Sequence, residues 1–206
     1  MALMQRIGSP PLRHAPVTSV ASRVTQVPAA PASLARLAVE LSSGLFSAAA
    51  TASGRSALAE LRSALFTAHG HERAARALWH ESLATAACAE LLAHSNGAAV
   101  AVATLSGLLH RAGDACVLQA LARDWQLSRP VADCVTAWHR CPELEAPTPE
   151  IAAVYCGHLL AVQLLQPELC APGAIATAAA EHGFDVESLA SLHGTGARVR
   201  ALLRTL

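Results

Sequence analysis

The chain has 206 residues and carries 15 acidic and 15 basic side chains, so its formal net charge is zero when histidine is neutral. It has no basic stripe with interleaved aromatic residues, which argues against nucleic acid as a partner. Hydrophobic residues make up 53% of the chain and aromatic residues only 3%. Because alanine and leucine dominate, the composition favours close-packed helices over β-sheet. We predict an all-α protein built as a compact multi-helix bundle.

The N-terminal 31 residues differ in composition from the rest of the chain. They contain five prolines, several arginines and serines, and no acidic residue. The prolines oppose a continuous amphipathic helix, and both a disordered bacterial leader and an organelle-targeting segment fit this composition. We predict a flexible leader over residues 1–31 and a single helical domain over residues 32–206.

The cysteines and the apolar runs indicate the cellular compartment of the protein. None of the six cysteines belongs to a CxxC pair, and most stand at apolar helical positions, which is typical of reduced core thiols. The apolar run AAVAVATLSGLL is shorter than the roughly 18 residues that a membrane span requires. We therefore predict a cytoplasmic protein that does not bind membranes.

Apolar residues at helical spacing predict several helices after Pro31. In chain order they are a leucine-striped helix over Leu34 to Leu45, a second that starts after Gly54, a third from Arg73 to His94 closed by Asn96-Gly97, a fourth that ends at GLLH, and a fifth through Val117 to Trp125. Glycine after the last helical residue is a frequent stop signal.

Two later helices have strong start signals. Ser128 stands where it can cap a helix whose first turn holds Pro130. Thr148, Pro149 and Glu150 supply the next helix with an N-cap, a first-turn proline and a carboxylate near the positive end of the helix dipole. Both starts precede apolar residues at helical spacing, so both segments are predicted to be helices.

The C-terminal region is predicted to hold two short helices. Gly183 is expected to end one of them, and Asp185 is expected to cap the next. The HGTG segment at residues 193–196 is expected to form a break, because glycine weakens a helix interior.

Four segments, in order along the chain, resemble the landmarks of the HDOD domain: ALWHESLATAACAELLA, SGLLHRAGDACVLQAL, WQLSRPVADCVTAWHRCPE and EIAAVYCGHLLA. The HDOD domain is a helical bacterial signalling module related to the HD phosphohydrolases. The resemblance extends over residues 33–206. It implies an HD-like helical bundle with a regulatory or protein-binding role.

The resemblance also locates the positions at which HD phosphohydrolases bind metal. Those enzymes use a histidine, a His-Asp pair and a later aspartate, since hard divalent ions need carboxylate oxygens beside the imidazoles. The matching positions here hold Glu81, His110, Arg111 and His158. A guanidinium does not ligate a cation and repels it. We therefore predict that these positions are vestigial, with no bound metal, no cofactor and no catalytic residue.

The same residues also have structural interpretations. His158 shares the apolar stripe of its helix and fits a hydrogen-bonded core histidine, while His110 ends an apolar helix where an imidazole can satisfy the last carbonyls. Arg111 is expected to form an ion pair with Glu81 or Asp114 in place of the metal.

A second metal site remains open on the sequence alone. Five soft ligands bracket one helix-loop-helix and suit zinc chemically, although their spacing fits no standard zinc finger. They are Cys134, His139, Cys141, Cys156 and His158.

The sequence thus favours a non-enzymatic signal-transduction or regulatory domain that binds a protein partner or forms a homo-oligomer. The expected surface is an apolar cleft between the LWHES and WHRCP helices, with Arg111, His139 and Arg140 as candidate polar contacts. One alternative is a residual metal-dependent HD-type phosphohydrolase acting on a nucleotide or phosphoester. The other is a scaffold whose only activity is assembly into a larger complex.

Limited proteolysis of the purified protein should remove the predicted leader and leave a stable helical remainder. Prolines and small polar residues bury too little apolar surface to offset the entropy of an ordered chain. Mass spectrometry of the resistant fragment locates the cleavage. A leader that resists protease in the isolated monomer would contradict the prediction.

Overall fold

The computed structural model describes residues 28–66, 71–113, 115–171, 173–184 and 192–206. All regular structure in these ranges is helical, which confirms the predicted all-α class. The α-helices are α1 (Leu34–Glu40), α2 (Leu45–Ala50), α3 (Ala52–Leu65), α4 (Glu72–Asn96), α5 (Val100–Leu109), α6 (Ala115–Asp124), α7 (Arg129–Ala137), α8 (Pro149–Leu165), α9 (Ala174–Glu181) and α10 (Leu192–Thr205). Short 3₁₀ segments cover Leu41–Ser43, Trp138–Glu143 and Pro167–Leu169. None of the helices in these ranges combines the length and apolar character needed to cross a membrane.

The long helix α4 lies at the centre of the domain, and its most extensive contacts are with α8 and α5. Glycines make both contacts close. A Cβ added to Gly107 of α5 would lie 2.7 Å from Cα of Ala86, and one added to Gly157 of α8 would lie 2.8 Å from the backbone nitrogen of Ala89. The three helices therefore approach more closely than any side chain at these two positions permits.

Buried apolar side chains form two clusters that share α4. Trp79 and Leu83, in its N-terminal half, pack with leucines of α1, α3 and α5. Leu92, in its C-terminal half, packs in a cluster with Trp138 and with apolar residues of α8. Because both clusters depend on α4, this helix holds the N-terminal and C-terminal parts of the domain together.

The first predicted helix is interrupted in the structure. Its leucine stripe was predicted correctly, since Leu37, Leu41 and Leu45 are all fully buried. However, Gly44 has a φ angle of 95° and separates α1 from α2. The carboxylate of Glu90 on α4 accepts a hydrogen bond from the backbone N–H of Leu45. A buried carboxylate thus caps α2, and periodicity within one segment does not reveal a cap that comes from another.

Several predicted boundaries are confirmed. Gly97 takes the left-handed conformation, with a φ angle of 75°, directly after α4. Thr148 caps α8, and its Oγ1 accepts a hydrogen bond from the backbone nitrogen of Ile151 at 3.4 Å. Ser128 holds the N-cap position of α7 without a side-chain hydrogen bond. Gly183, with a φ angle of 73°, follows α9 as expected, while the predicted cap Asp185 lies outside the described residues.

The predicted break at HGTG is wrong. Helix α10 runs from Leu192 to Thr205 and includes both glycines of this segment. Gly196 faces α8, where an added Cβ would lie 3.1 Å from Leu164. Helix α10 makes its main contacts with α4, and tertiary packing of this kind offsets the low helix propensity of glycine.

The start of the described chain contacts the bundle. The indole Nε1 of Trp125 donates a hydrogen bond to the carbonyl oxygen of Pro28 at 2.8 Å. Residues 28–31, which the sequence assigned to the leader, are therefore attached to the domain at Pro28. The leader prediction for residues 1–27 lies outside the described residues.

We expect Gly157→Ala to lower the free energy of unfolding by about 1–3 kcal/mol, because the added methyl group forces α8 away from α4. Gly194→Ala is the matched control, since this helical glycine has nothing within 4 Å of an added Cβ. The control should be neutral or stabilise by about 0.5–1 kcal/mol through helix propensity. Urea denaturation of both variants measures the difference. Equal effects would show that the α4–α8 contact tolerates a methyl group.

Candidate functional site

Three helices bring Glu81, His110 and His158 together. Glu81 lies on α4, His110 directly follows α5, and His158 lies on α8. The Nε2 atom of His110 is 3.2 Å from Nδ1 of His158 and 4.0 Å from Oε1 of Glu81. The Nδ1 atom of His158 is 3.5 Å from the same carboxylate oxygen. Among the described residues, this is the one group of three or more histidine, cysteine or acidic side chains whose ligand atoms all lie within 4.8 Å of one another.

His110 is fully buried, and its ring orientation is fixed by the backbone. Its Nδ1 lies 2.7 Å from the carbonyl oxygen of Gly107. A carbonyl only accepts hydrogen bonds, so Nδ1 carries the proton and Nε2 presents a lone pair to the cluster in the neutral ring. Burial lowers the pKa of His110 well below its usual range, and the neighbouring His158 lowers it further. The ring is therefore neutral at neutral pH.

Arg111 forms the ion pair that the sequence suggested. Its Nε lies 3.2 Å from Oε1 of Glu81, and the two side chains are 28% and 15% exposed. The Nε–H group is not aligned for a hydrogen bond, so this contact is mainly a charge interaction. The alternative partner, Asp114, lies outside the described residues. A permanent cation thus contacts the same carboxylate oxygen that faces both histidines.

Trp138 forms an aromatic wall beside the cluster. Its ring meets those of His110 and His158 edge to face, at centroid distances of 4.8 and 4.9 Å. The sequence patterns do not place this tryptophan against the two histidines. The position of Trp138 depends on the 3₁₀ segment that follows α7, which a helical periodicity does not predict.

The other two predicted contact residues lie apart from the cluster. His139 and Arg140 are exposed on the 3₁₀ segment that begins at Trp138. The Nε of Arg140 is 3.3 Å from Oε2 of Glu143, and the ring of His139 lies edge-on to Trp138 at a centroid distance of 6.0 Å. Glu81, His110, Arg111 and His158 therefore meet in one place, whereas His139 and Arg140 face solvent nearby.

The cysteine-based zinc site is not assembled. Cys134, Cys141 and Cys156 are buried and free, but they do not form a ligand group with His139 or His158. Burial raises the pKa of Cys134 and of Cys156 to about 12. These thiols are therefore protonated at neutral pH, and they behave as core residues.

The protein is thus an all-α domain with a buried histidine and carboxylate cluster between three helices. Residues 56–140 match the family model of the HDOD domain. This match confirms the HDOD resemblance for this segment of the chain. The matched segment includes Glu81, His110 and Arg111 and ends before His158. Searches among curated proteins and among solved structures find no match.

The metal-free protein should lose stability as the pH falls below about 6.5, because His110 binds a proton more readily in the unfolded chain than in the buried site. Its contribution is fully present above the unfolded pKa and is lost as the pH falls toward the lower folded pKa. Glu81, His158 and Arg111 surround the ring, so the contribution of His110 is isolated by comparing variants. His110→Asn keeps a donor for the Gly107 carbonyl but does not titrate.

Urea denaturation between about pH 7.5 and about pH 5.5, with chelator present, measures this effect. The free energy of unfolding should depend less on pH in His110→Asn than in the wild-type protein. His139→Asn, which removes an exposed histidine, should retain the wild-type dependence. Identical profiles for all three proteins would show that His110 is not the destabilising group.

Proposed function

We propose that this protein is a non-catalytic regulatory domain of signal transduction that acts by binding a protein partner or a second copy of itself. The observation that carries the proposal is the ion pair between Arg111 and Glu81. By the HD resemblance, Arg111 stands at the position of a metal-ligating aspartate and Glu81 at the position of the first metal-ligating histidine. The relation to the HDOD family agrees with this role.

The electrostatics of the cluster argue against hydrolysis. Glu81 supplies one negative charge, Arg111 supplies one positive charge, and His110 is neutral at neutral pH. Phosphoester hydrolysis at such a site needs a metal that activates water and carboxylates that balance its charge. The formal charges of Glu81 and Arg111 sum to zero. The pair therefore does not supply the negative charge that a hard divalent ion requires.

The proposed recognition surface is the exposed side of the 3₁₀ segment after α7. His139 and Arg140 face solvent there, directly after the buried Trp138. Arg111 is turned toward Glu81 and is only partly exposed. We therefore assign it to the interior of the site and not to the recognition surface. Exposed charges of this kind affect recognition more than packing.

A second candidate function is a residual metal-dependent phosphohydrolase. The convergence of Glu81, His110 and His158 favours it, because two imidazoles and one carboxylate are a common ligand set of catalytic zinc. Incubation with bis(p-nitrophenyl) phosphate and manganese, iron, nickel or zinc tests this function. Turnover that disappears in His110→Asn would overturn the non-catalytic proposal.

We expect Arg140→Glu to weaken association about tenfold while leaving the melting temperature nearly unchanged. Sedimentation velocity over a range of concentrations measures self-association. Chemical crosslinking in the native lysate, followed by mass spectrometry, measures capture of another protein. Arg36→Glu is the matched control, since Arg36 is also an exposed arginine beside a glutamate, Glu60.

The control should associate like the wild-type protein in whichever assay gives a signal. If Arg140→Glu and His139→Glu both associate like Arg36→Glu, the proposed surface is wrong. If the wild-type protein neither self-associates nor captures a protein, the binding role itself is wrong.

A further inference from the structure

We propose that Glu81, His110 and His158 form a binding site for one divalent transition ion of the zinc class, and that Arg111 competes with the ion for the Glu81 carboxylate. The sequence alone led to the expectation of no metal, because Arg111 stands at the position of a metal-ligating aspartate and a guanidinium repels a cation. This inference goes beyond the proposed regulatory function and does not depend on it.

The separations of the ligand atoms fit a tetrahedral ion. Bonds of about 2.0–2.1 Å from zinc to nitrogen or oxygen place neighbouring ligands of a tetrahedron about 3.3 Å apart. In the cluster, Nε2 of His110 and Nδ1 of His158 are 3.2 Å apart, and Nδ1 of His158 and Oε1 of Glu81 are 3.5 Å apart. The remaining separation, between His110 and Glu81, is 4.0 Å. A small rotation of the Glu81 side chain closes it.

The ligands are also held in place before any ion binds. The Nδ1–H group of His110 donates to the Gly107 carbonyl, and metal-binding histidines commonly fix their second nitrogen in this way. Gly107 is itself packed against Ala86 of α4, and Gly157 next to His158 is packed against Ala89. The backbone therefore fixes the spacing of both imidazoles.

The ligand types select the class of ion. Two imidazole nitrogens and one carboxylate oxygen suit zinc, cobalt, nickel and iron. Calcium requires six to eight oxygen ligands, and magnesium requires a near-octahedral set of oxygens. The cluster has a single carboxylate, so neither hard ion is expected to bind. The fourth position of the tetrahedron is left for a water molecule or another small ligand.

Arg111 competes with a metal ion for the carboxylate of Glu81. Its Nε contacts the same Oε1 atom that lies nearest both histidines. Because Arg111 is 28% exposed, its guanidinium has a route toward solvent when an ion takes the carboxylate. Loss of this cation removes both a competitor and a repulsive charge. The geometry therefore makes a directional prediction, which is tighter metal binding when Arg111 is replaced by a neutral side chain.

The test is a calorimetric titration of the chelator-stripped full-length protein with zinc chloride, and with magnesium chloride as the hard-ion control. We expect one equivalent of zinc and no saturable magnesium binding. Arg111→Gln should bind zinc at least about tenfold more tightly. Glu81→Gln and His158→Gln should lose the site, while the exposed His139→Gln should bind like the wild-type protein.

Cobalt(II) absorption spectroscopy provides a second measurement. A tetrahedral cobalt ion with nitrogen and oxygen ligands gives visible bands but no thiolate charge-transfer band, which separates this cluster from the buried cysteines. Circular dichroism and thermal melts establish which variants fold. Arg111→Gln keeps the proposal falsifiable even if the ligand variants unfold, because it is expected to gain affinity.

The proposal is overturned if neither the wild-type protein nor Arg111→Gln binds zinc with saturation. It is also overturned if binding persists in folded Glu81→Gln or His158→Gln, or if Arg111→Gln binds zinc no more tightly than the wild-type protein. These outcomes leave the association test with Arg140→Glu untouched. Failure of the metal site and failure of the regulatory function are thus separate results.

Discussion

The structure depends on the close approach of α5 and α8 to the central helix α4. Gly107 and Gly157 are the contact points, and each meets the backbone of α4 where a side chain would clash. His158 directly follows Gly157 in the chain, and His110 lies one helical turn after Gly107. The residues that make the packing close are therefore the same ones that fix the distance between the two imidazoles. A glycine-to-alanine change at either position would disturb both the core and the site.

The cluster also illustrates how a partly buried charge is stabilised by an ionic partner. Glu81 lies 3.2 Å from the guanidinium of Arg111, while His110 remains neutral because burial disfavours its protonated form. Buried ions require a partner, and an unpaired one is costly. Arg111 and a metal ion are alternative partners for the same carboxylate, because each supplies the positive charge that Glu81 needs. The ion pair therefore stabilises the Glu81 carboxylate when no metal is bound, while Glu81, His110 and His158 all remain in the cluster.

The sequence predicted those features of the fold that short segments control. Thr148 and Gly97 act through neighbouring residues of their own helices, so their roles were evident without a structure. The interruption at Gly44 was missed because its cause is Glu90, which lies far away in the chain and caps α2 through space. The helix through HGTG was missed for a related reason, since α10 packs against α4, which lies far away in the chain. In both cases a tertiary contact overrides the local preference.

The all-α class, the HDOD resemblance and the candidate positions Glu81, His110, Arg111 and His158 were all predicted without a structure. Helical periodicity and the order of short segments carry this information, because both are local properties of the chain. The contacts among these four side chains became known from the three-dimensional packing: Arg111 pairs with Glu81, and His110 directs Nε2 toward His158. Periodicity shows which residues share a face of one helix. The distance between atoms on different helices is set by how closely those helices pack, and here that spacing follows from the glycine contacts of α5 and α8 with α4.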